Sequence, residues 1–325
     1  MPYSVLITGG AGYIGSVATE ILLQEGFKVV VLDNLSTGHK EALFDNVPFY
    51  NSNLGDTETL KKIFIENKID VVLHIAGAAL VEESVKDPIK YFDINFCQAQ
   101  NLLDVMILCD VKKIVFSSTC AVYGIPRTED IPIKEETSTK PINPYGESKL
   151  IFEEALKWYK QKHDLDFIAL RYFNVAGASN NRGENHNPET HLIPLVIKAT
   201  RDTNYKLSIY GNDYPTKDGT AIRDYIHIVD LIFAHIKAIK ALIENKPHKN
   251  IYNVGYGHGY SVLEIVNAVK KVTNKDIEYR IVERRPGDPP VLVSNPTKIK
   301  EELNWTPKYD NIYEIINSAI NKQTY

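Results

Sequence analysis

Residues 5–15, Val5-Leu6-Ile7-Thr8-Gly9-Gly10-Ala11-Gly12-Tyr13-Ile14-Gly15, set Gly9, Gly12 and Gly15 three apart between a short apolar run and a helix-like segment from about Tyr13 to Glu25. A strand that turns at once into a helix needs residues without Cβ at the turn. The free N–H groups of the first helical turn then face any anion that approaches. The spacing therefore predicts a βα unit with a pyrophosphate-sized cradle at its joint. The texture repeats through the first half: Lys28–Leu32 ending in Asp33, Asp70–Ile75, Lys113–Ser117 and Asp166–Leu170 read as buried strands between helix-like segments. Near-continuous apolar strands alternating with helices argue for the α/β class, with a Rossmann-type doubly wound parallel sheet.

Beyond about Phe173 the alternation fades. Residues 176–190 are rich in Asn, Gly, Glu and His, and Pro194, Pro215, Pro247, Pro286, Pro289 and Pro290 punctuate shorter elements. We expect a dinucleotide-binding domain over residues 1–175 and a smaller α/β lobe for substrate over 176–325, with about 225–250 packing back on the first domain. A formal net charge of −4 and the short basic runs Lys112-Lys113 and Arg284-Arg285 give no electrostatic case for nucleic acid. Cys97, Cys109 and Cys120 have neither CxxC nor metal-ligand spacing, and nothing around His191 suggests a metal. Val5-Leu6-Ile7 is too short for a signal peptide, and no apolar stretch reaches membrane-spanning length. The expectation is a soluble cytoplasmic protein with no metal.

Asp33 closes the second strand where an acid binds an adenosine ribose diol, although it could equally cap the loop Asn34-Leu35-Ser36-Thr37-Gly38. A carboxylate there repels a 2′-phosphate, and His39 and Lys40 follow several residues on, so NAD is favoured over NADP. Asn143 and Pro144 make a helix start, which puts Tyr145 and Lys149 on one face at i, i+4. An ammonium about 4 Å from a phenol, at an effective dielectric near 20, is worth roughly 4 kcal/mol, enough to bring the phenol into the range of a working base. Thr119, at the carboxyl end of the strand from Lys113, faces the ligand crevice and is expected to hydrogen-bond the reacting oxygen. Ser117 and Ser118 could simply satisfy the turn. Cradle, phenol and cation together suit a proton leaving a hydroxyl as a hydride leaves the same carbon.

These features resemble the extended short-chain dehydrogenase/reductase family. Longer stretches resemble its UDP-glucose (UDP-galactose) 4-epimerases nearly end to end: Arg171-Tyr172-Phe173-Asn174, Tyr210-Gly211-Asn212-Asp213-Tyr214-Pro215-Thr216 with Asp218-Gly219-Thr220, Arg223-Asp224-Tyr225-Ile226-His227, and Arg284-Arg285-Pro286-Gly287-Asp288. The resemblance implies that Tyr145 takes the 4-hydroxyl proton of a UDP-sugar while hydride passes to tightly held, unconsumed NAD, and that the 4-keto sugar turns before hydride returns. It implies an NAD site of Gly9, Gly12, Tyr13, Ile14, Gly15, Asp33, Asn34, Ser36, Thr37, Gly38, Asp56, Ala76, Gly77, Asn95, Tyr145, Lys149 and Phe173. It places the diphosphate on Arg223, Arg285 and Asn174, the ribose on Asp288, the uracil at Tyr210 and the Leu192 backbone, and the sugar at Thr119 and Tyr145. A homodimer through helices of the first domain is also implied.

Three departures stand out: Ala79 where many relatives carry Lys, His191 for a common Asn, and Leu292 at the wall near the hexose. Leu leaves more room than a Tyr, so N-acetylated substrates are compatible with it. A 4,6-dehydratase would carry an Asp-Glu pair after Thr119, where this chain has Cys120-Ala121. A 4-keto reductase would need renewable cofactor, and a non-catalytic dinucleotide-binding regulator would not need Thr119, Tyr145 and Lys149 together.

Overall fold

Seven parallel strands frame the protein, seen in a computed structural model that describes residues 2–285 and 287–322; Pro286 lies outside the described residues. The first half runs β1 (Ser4–Thr8), α1 (Tyr13–Gln24), β2 (Lys28–Asp33), β3 (Phe49–Asn51), α2 (Thr57–Asn67), β4 (Val71–His74), α3 (Val81–Lys86), α4 (Pro88–Phe92), a π-helical turn (Asp93–Gln98), α5 (Ala99–Leu108), β5 (Lys113–Thr119), α6 (Pro144–His163) and β6 (Asp166–Tyr172). The rest runs β7 (Asn174–Ala176), α7 (Leu192–Ala199), β8 (Leu207–Tyr210), β9 (Ile222–Arg223), β10 (Tyr225–His227), α8 (Ile228–Ile243), β11 (Ile251–Val254), β12 (Tyr260–Ser261), α9 (Val262–Thr273), β13 (Tyr279–Val282), β14 (Val291–Leu292), α10 (Thr297–Glu302) and α11 (Ile312–Lys322).

The large sheet has the order β3-β2-β1-β4-β5-β6-β11, every neighbour parallel. Successive side chains leave on opposite faces. Val5, Ile7, Val29, Val31, Leu73 and Val115 join one core with Val17, Leu22 of α1 and Leu231, Ile239 of α8. Leu6, Val30, Leu32, Val72, Ile114 and Phe116 join the other, with Leu60 of α2, Leu103 of α5 and Phe152 of α6. Both faces are covered, so the strands are apolar throughout rather than alternating.

The doubly wound sheet expected from the sequence is found, with two strands that the pattern did not reveal. β3 is three residues long and only half buried, and β11 follows α8 and pairs with β6 from Ile251↔Ala169 to Val254↔Tyr172. Strand order reverses between β1 and β4, which opens a crevice at their carboxyl ends. Packing there is tight: a Cβ on Gly9, whose φ is +78°, would lie 2.8 Å from the backbone of Ala76.

Around the crevice the later residues form small sheets, β12-β9-β14, β13-β8 and β10-β7. Buried Asp224, between β9 and β10, ties that pair of strands to the residues just after β11 and β14. Its carboxylate accepts from the amides of Tyr256, Gly257 and Ser294 and from the Ser294 hydroxyl, at 2.6–3.1 Å. This fixes Arg223 beside Asn174, whose amide donates to the Asp224 carbonyl at 2.9 Å.

Candidate active site

The glycines of the cradle do different jobs. A Cβ on Gly15 would sit 2.0 Å from the Gly9 carbonyl oxygen, so Gly9 and Gly15 are required for strand, turn and helix to pack at all. Gly12 is different: a Cβ there meets only the Gly9 oxygen, at 3.5 Å, and the space at the N-terminus of α1 is open to a ligand. Asp33, 9% exposed, accepts from the Ala11 amide at 2.9 Å and the Leu35 amide at 2.8 Å. Each oxygen keeps a lone pair for a diol while the carboxylate fastens the following loop to the cradle. Asn34, Ser36 and Thr37 stand exposed at the rim, and the His39 amide donates to the Ala11 carbonyl across Gly38. The Tyr13 hydroxyl donates to Gly177 at 2.6 Å, and Ile14 packs on the core. Asp56 caps α2, its oxygens engaged by Thr59 and Ser52, and these bonds hold its carboxyl below the usual range.

Asn143 caps α6 by accepting from the Gly146 amide at 2.8 Å, with Pro144 in the first position. Gly146 is then decisive, because a Cβ there would fall 2.6 Å from the Ala121 carbonyl oxygen. Its absence lets α6 dock on the turn after β5 and brings the Tyr145 phenol into hydrogen-bond contact with Thr119. Lys149, 5% exposed, donates to the Ser117 carbonyl at 3.2 Å and lies 5.0 Å from the Phe116 ring centroid. Asn95, in the π-helical turn, accepts from the Ala78 amide at 2.8 Å and donates to Ser148 of α6 at 3.0 Å. It thereby holds the segment Ala76–Gly77 against Lys149, whose Nζ is 3.2 Å from where a Gly77 Cβ would be.

One expectation needs correcting. Lys149 does not draw the phenol of Tyr145 down in this geometry: burial pushes Tyr145 up to about 12, and the opposing influence is the hydrogen bond from Thr119. The ammonium is spent on the Ser117 carbonyl, and burial lowers Lys149 itself to about 8. Helical spacing correctly placed both groups on one face, but each is charged at the expense of its solvation.

Sequence reading missed the support beneath. Arg171 of β6 binds both oxygens of Glu153 on α6 at 2.9 and 2.5 Å, with side chains 3% and 0% exposed. Glu153 also accepts from Ser118 at 2.5 Å, and Arg171 donates to Tyr123, which donates to Asn253 of β11. The signal was present, since Glu153 lies two turns after Tyr145 on the buried face of α6. Tyr91 was missed too: fully buried, its ring meets Tyr145 edge-on at 6.4 Å.

On the opposite side Arg223 forms an ion pair with Asp288, and the Arg285 guanidinium lies 3.9 Å from the Tyr210 ring centroid. β14 pairs Leu292 with Arg223, and Leu292 packs in an apolar cluster with Phe173, Cys120 and Tyr123. The residues expected to hold a nucleotide sugar thus adjoin the Thr119 turn. Burial pushes the Cys120 thiol up to about 12, so it offers no acid or base where a dehydratase would need one. Ala79 is exposed after β4, and Leu192 opens α7. His191 turns toward Glu184, its Nδ1 at 2.7 Å.

The sequence profile of the NAD dependent epimerase/dehydratase family matches residues 5–255. The chain is 47% identical over 320 residues to the UDP-glucose 4-epimerase of Lacticaseibacillus casei, covering 98% of this chain and 96% of that one. Its fold is similar to the crystal structure of UDP-glucose 4-epimerase from Brucella ovis in complex with NAD, with a TM-score of 0.92, 40% identity and 98% of each chain covered. It is equally similar to the Bifidobacterium longum enzyme in complex with NAD+ and UDP, with a TM-score of 0.92, 38% identity and coverage of 98% and 97%.

Proposed function

The chain belongs to the NAD dependent epimerase/dehydratase family, and we infer that its reaction is the reversible interconversion of UDP-glucose and UDP-galactose. It is an NAD-dependent epimerase. The observation that carries the reading is the meeting of the Thr119–Tyr145 pair, at the end of β5, with the Arg223–Asp288 and Arg285–Tyr210 pairs across one crevice.

The residues present fit the cofactor. The open space over Gly12 takes a pyrophosphate, and the unused lone pairs of Asp33 take a ribose diol. Asn34–Gly38, Asp56, Ala76, Gly77, Asn95, Lys149 and Phe173 complete its site in this reading. NAD, when bound, supplies the hydride acceptor and donor for carbon 4 and a positive charge near the phenol. Thr119 orients the 4-oxygen of the sugar, and Tyr145, in its phenolate form, removes its proton as the keto group forms. After the 4-keto sugar turns, the same phenol returns the proton to the oxygen on the other face. Arg223, Arg285 and Asn174 hold the diphosphate, Asp288 the ribose, and Tyr210 with the Leu192 backbone the uracil, so the sugar can turn without leaving.

Residues 1–175 then serve the cofactor and 176–325 the nucleotide sugar, with about 225–250 returning to the first domain. Pairing into a homodimer would cover Trp158 of α6 and Leu108 of α5, which are 70% and 73% exposed. The free thiols of Cys97, Cys109 and Cys120 suit a reducing cytoplasm, and no helix among the described residues is long and apolar enough to cross a membrane.

The test is to give the purified protein UDP-galactose with no added cofactor and look for UDP-glucose. Conversion is expected; none, even with NAD supplied, sinks the assignment. The apolar cluster around Leu292 favours a second reading, in which N-acetylated UDP-sugars are also accepted, and UDP-N-acetylgalactosamine in the same assay decides it.

A further inference from the structure

Between Gly177 and α7, the chain folds so that Glu184, His186, Glu189 and His191 each turn one ligand-type atom inward, all four within 4.8 Å of one another. Nδ1 of His191 lies 2.7 Å from Glu184 Oε1 and 3.2 Å from Glu189 Oε1, and Nδ1 of His186 lies 3.2 Å from the same Glu184 oxygen and 3.8 Å from Glu189 Oε2. A tetrahedral zinc ion with bonds near 2.0–2.1 Å requires ligand atoms about 3.3–3.4 Å apart, inside that range. We propose that this loop is a structural site for a zinc-class divalent transition metal, held by the four residues of Glu184-x-His186-x-x-Glu189-x-His191.

The chemistry of the set is selective. Two imidazoles with two carboxylates suit zinc better than the all-oxygen shells of magnesium or calcium, and two carboxylate charges balance a dication. Four protein ligands leave no open position, which is the mark of a structural rather than a catalytic ion. Glu189 is held in place by the backbone, because its Oε1 accepts from the amides of Thr190 at 2.7 Å and His191 at 2.8 Å. The ion would fasten a loop that already touches both sides of the cradle: His186 meets the Tyr13 ring edge-on at 6.1 Å, and His39 contacts the Asn185 carbonyl at 2.7 Å. The spacing hid this, since the ligands are too close together for a zinc finger and become a site only through the turn between them. The inference is independent of the sugar substrate.

The test uses the full-length protein, stripped with a chelator and dialysed. Titration with Co2+ should give intense visible bands of tetrahedral cobalt saturating at one equivalent, displaced by Zn2+. Zinc should be retained at one per chain after gel filtration and should slow proteolytic cleavage within residues 177–191 at least tenfold. The variant His186→Gln/His191→Gln should lose the bands and the retained zinc. If that variant does not fold, the single variant His191→Gln, whose side chain is 45% exposed in the parent, carries the same comparison. Absence of tetrahedral bands and of retained zinc in the parent would reduce the cluster to hydrogen-bonded ion pairs and overturn the proposal. Metal retained equally by the variants would overturn it as well.

Discussion

On the wall made by β5 and α6, Glu153 and Arg171 are sealed in the interior, and every polar atom they offer is matched by the other, by Ser118 or by Tyr123. On the facing wall Arg223 and Asp288 pair with side chains 11% and 29% exposed, and Arg285 covers a Tyr210 ring that is itself 37% exposed. Both walls carry an ion pair, but only the second carries one that a ligand can reach. The wall proposed as catalytic spends its ion pair on fixing α6, so that Tyr145 and Lys149 meet the end of β5 with little freedom to move. The wall proposed for substrate keeps its cations against partners that a diphosphate and a base could displace.

The sharpest way to break this contrast is at the phenol. Tyr145→Phe removes the proposed proton acceptor and leaves the ring edge against Tyr91 intact. Turnover of UDP-galactose should fall about 10²–10⁴-fold, while NAD bound per chain, read from absorbance after denaturation, stays the same. Retention of more than a tenth of the turnover would mean that another group carries the proton. Next in size is Glu153→Gln, which strands the Arg171 charge in the interior and should cost about 3–5 kcal/mol in urea unfolding. Asp288→Asn, on the accessible wall, should cost less than about 1 kcal/mol in the same experiment. Equal losses would erase the distinction between the walls.

What the sequence disclosed follows the same line. Gly9, Gly12, Gly15, Asn143 and Pro144 act within a few residues of themselves, through local sterics and capping, so the cradle and the start of α6 were legible. Arg171 and Glu153 are 18 residues apart and on different elements, and Tyr123 and Asn253 are 130 apart. No local pattern announces such partners, and β11 was hidden for the same reason. The error over Tyr145 is of another kind: i, i+4 spacing gives a shared face, but the protonation of a buried phenol depends on how much solvent the whole fold removes.

Lys149 measures that solvent loss directly. Its folded value of about 8 lies below the ordinary lysine value of 10.5, so in this window the unfolded chain holds the extra proton and stability rises with pH. Below about 8 both states are protonated and the burial cost is felt in full. The stability of the parent minus that of Lys149→Met should therefore climb by on the order of 3 kcal/mol from pH 8 to 10.5 and stay flat below pH 7. A flat difference throughout would mean that the ammonium is solvated and that the catalytic wall is wetter than its packing indicates.

The smallest effect on stability should come from Arg285, and it bears most directly on the substrate wall. Its guanidinium stacks on Tyr210 and is not buried with a carboxylate, so removing it leaves no unpaired charge behind. Arg285→Ala should leave the urea midpoint within experimental scatter and weaken UDP binding about tenfold, near 1.4 kcal/mol. Arg285→Lys should recover only part of the loss, because an ammonium keeps the charge but not the planar fork that stacks on a ring and grips two oxygens at once. If Arg285→Ala destabilises the fold as Glu153→Gln does, Arg285 is structural and the diphosphate rests on Arg223 and Asn174.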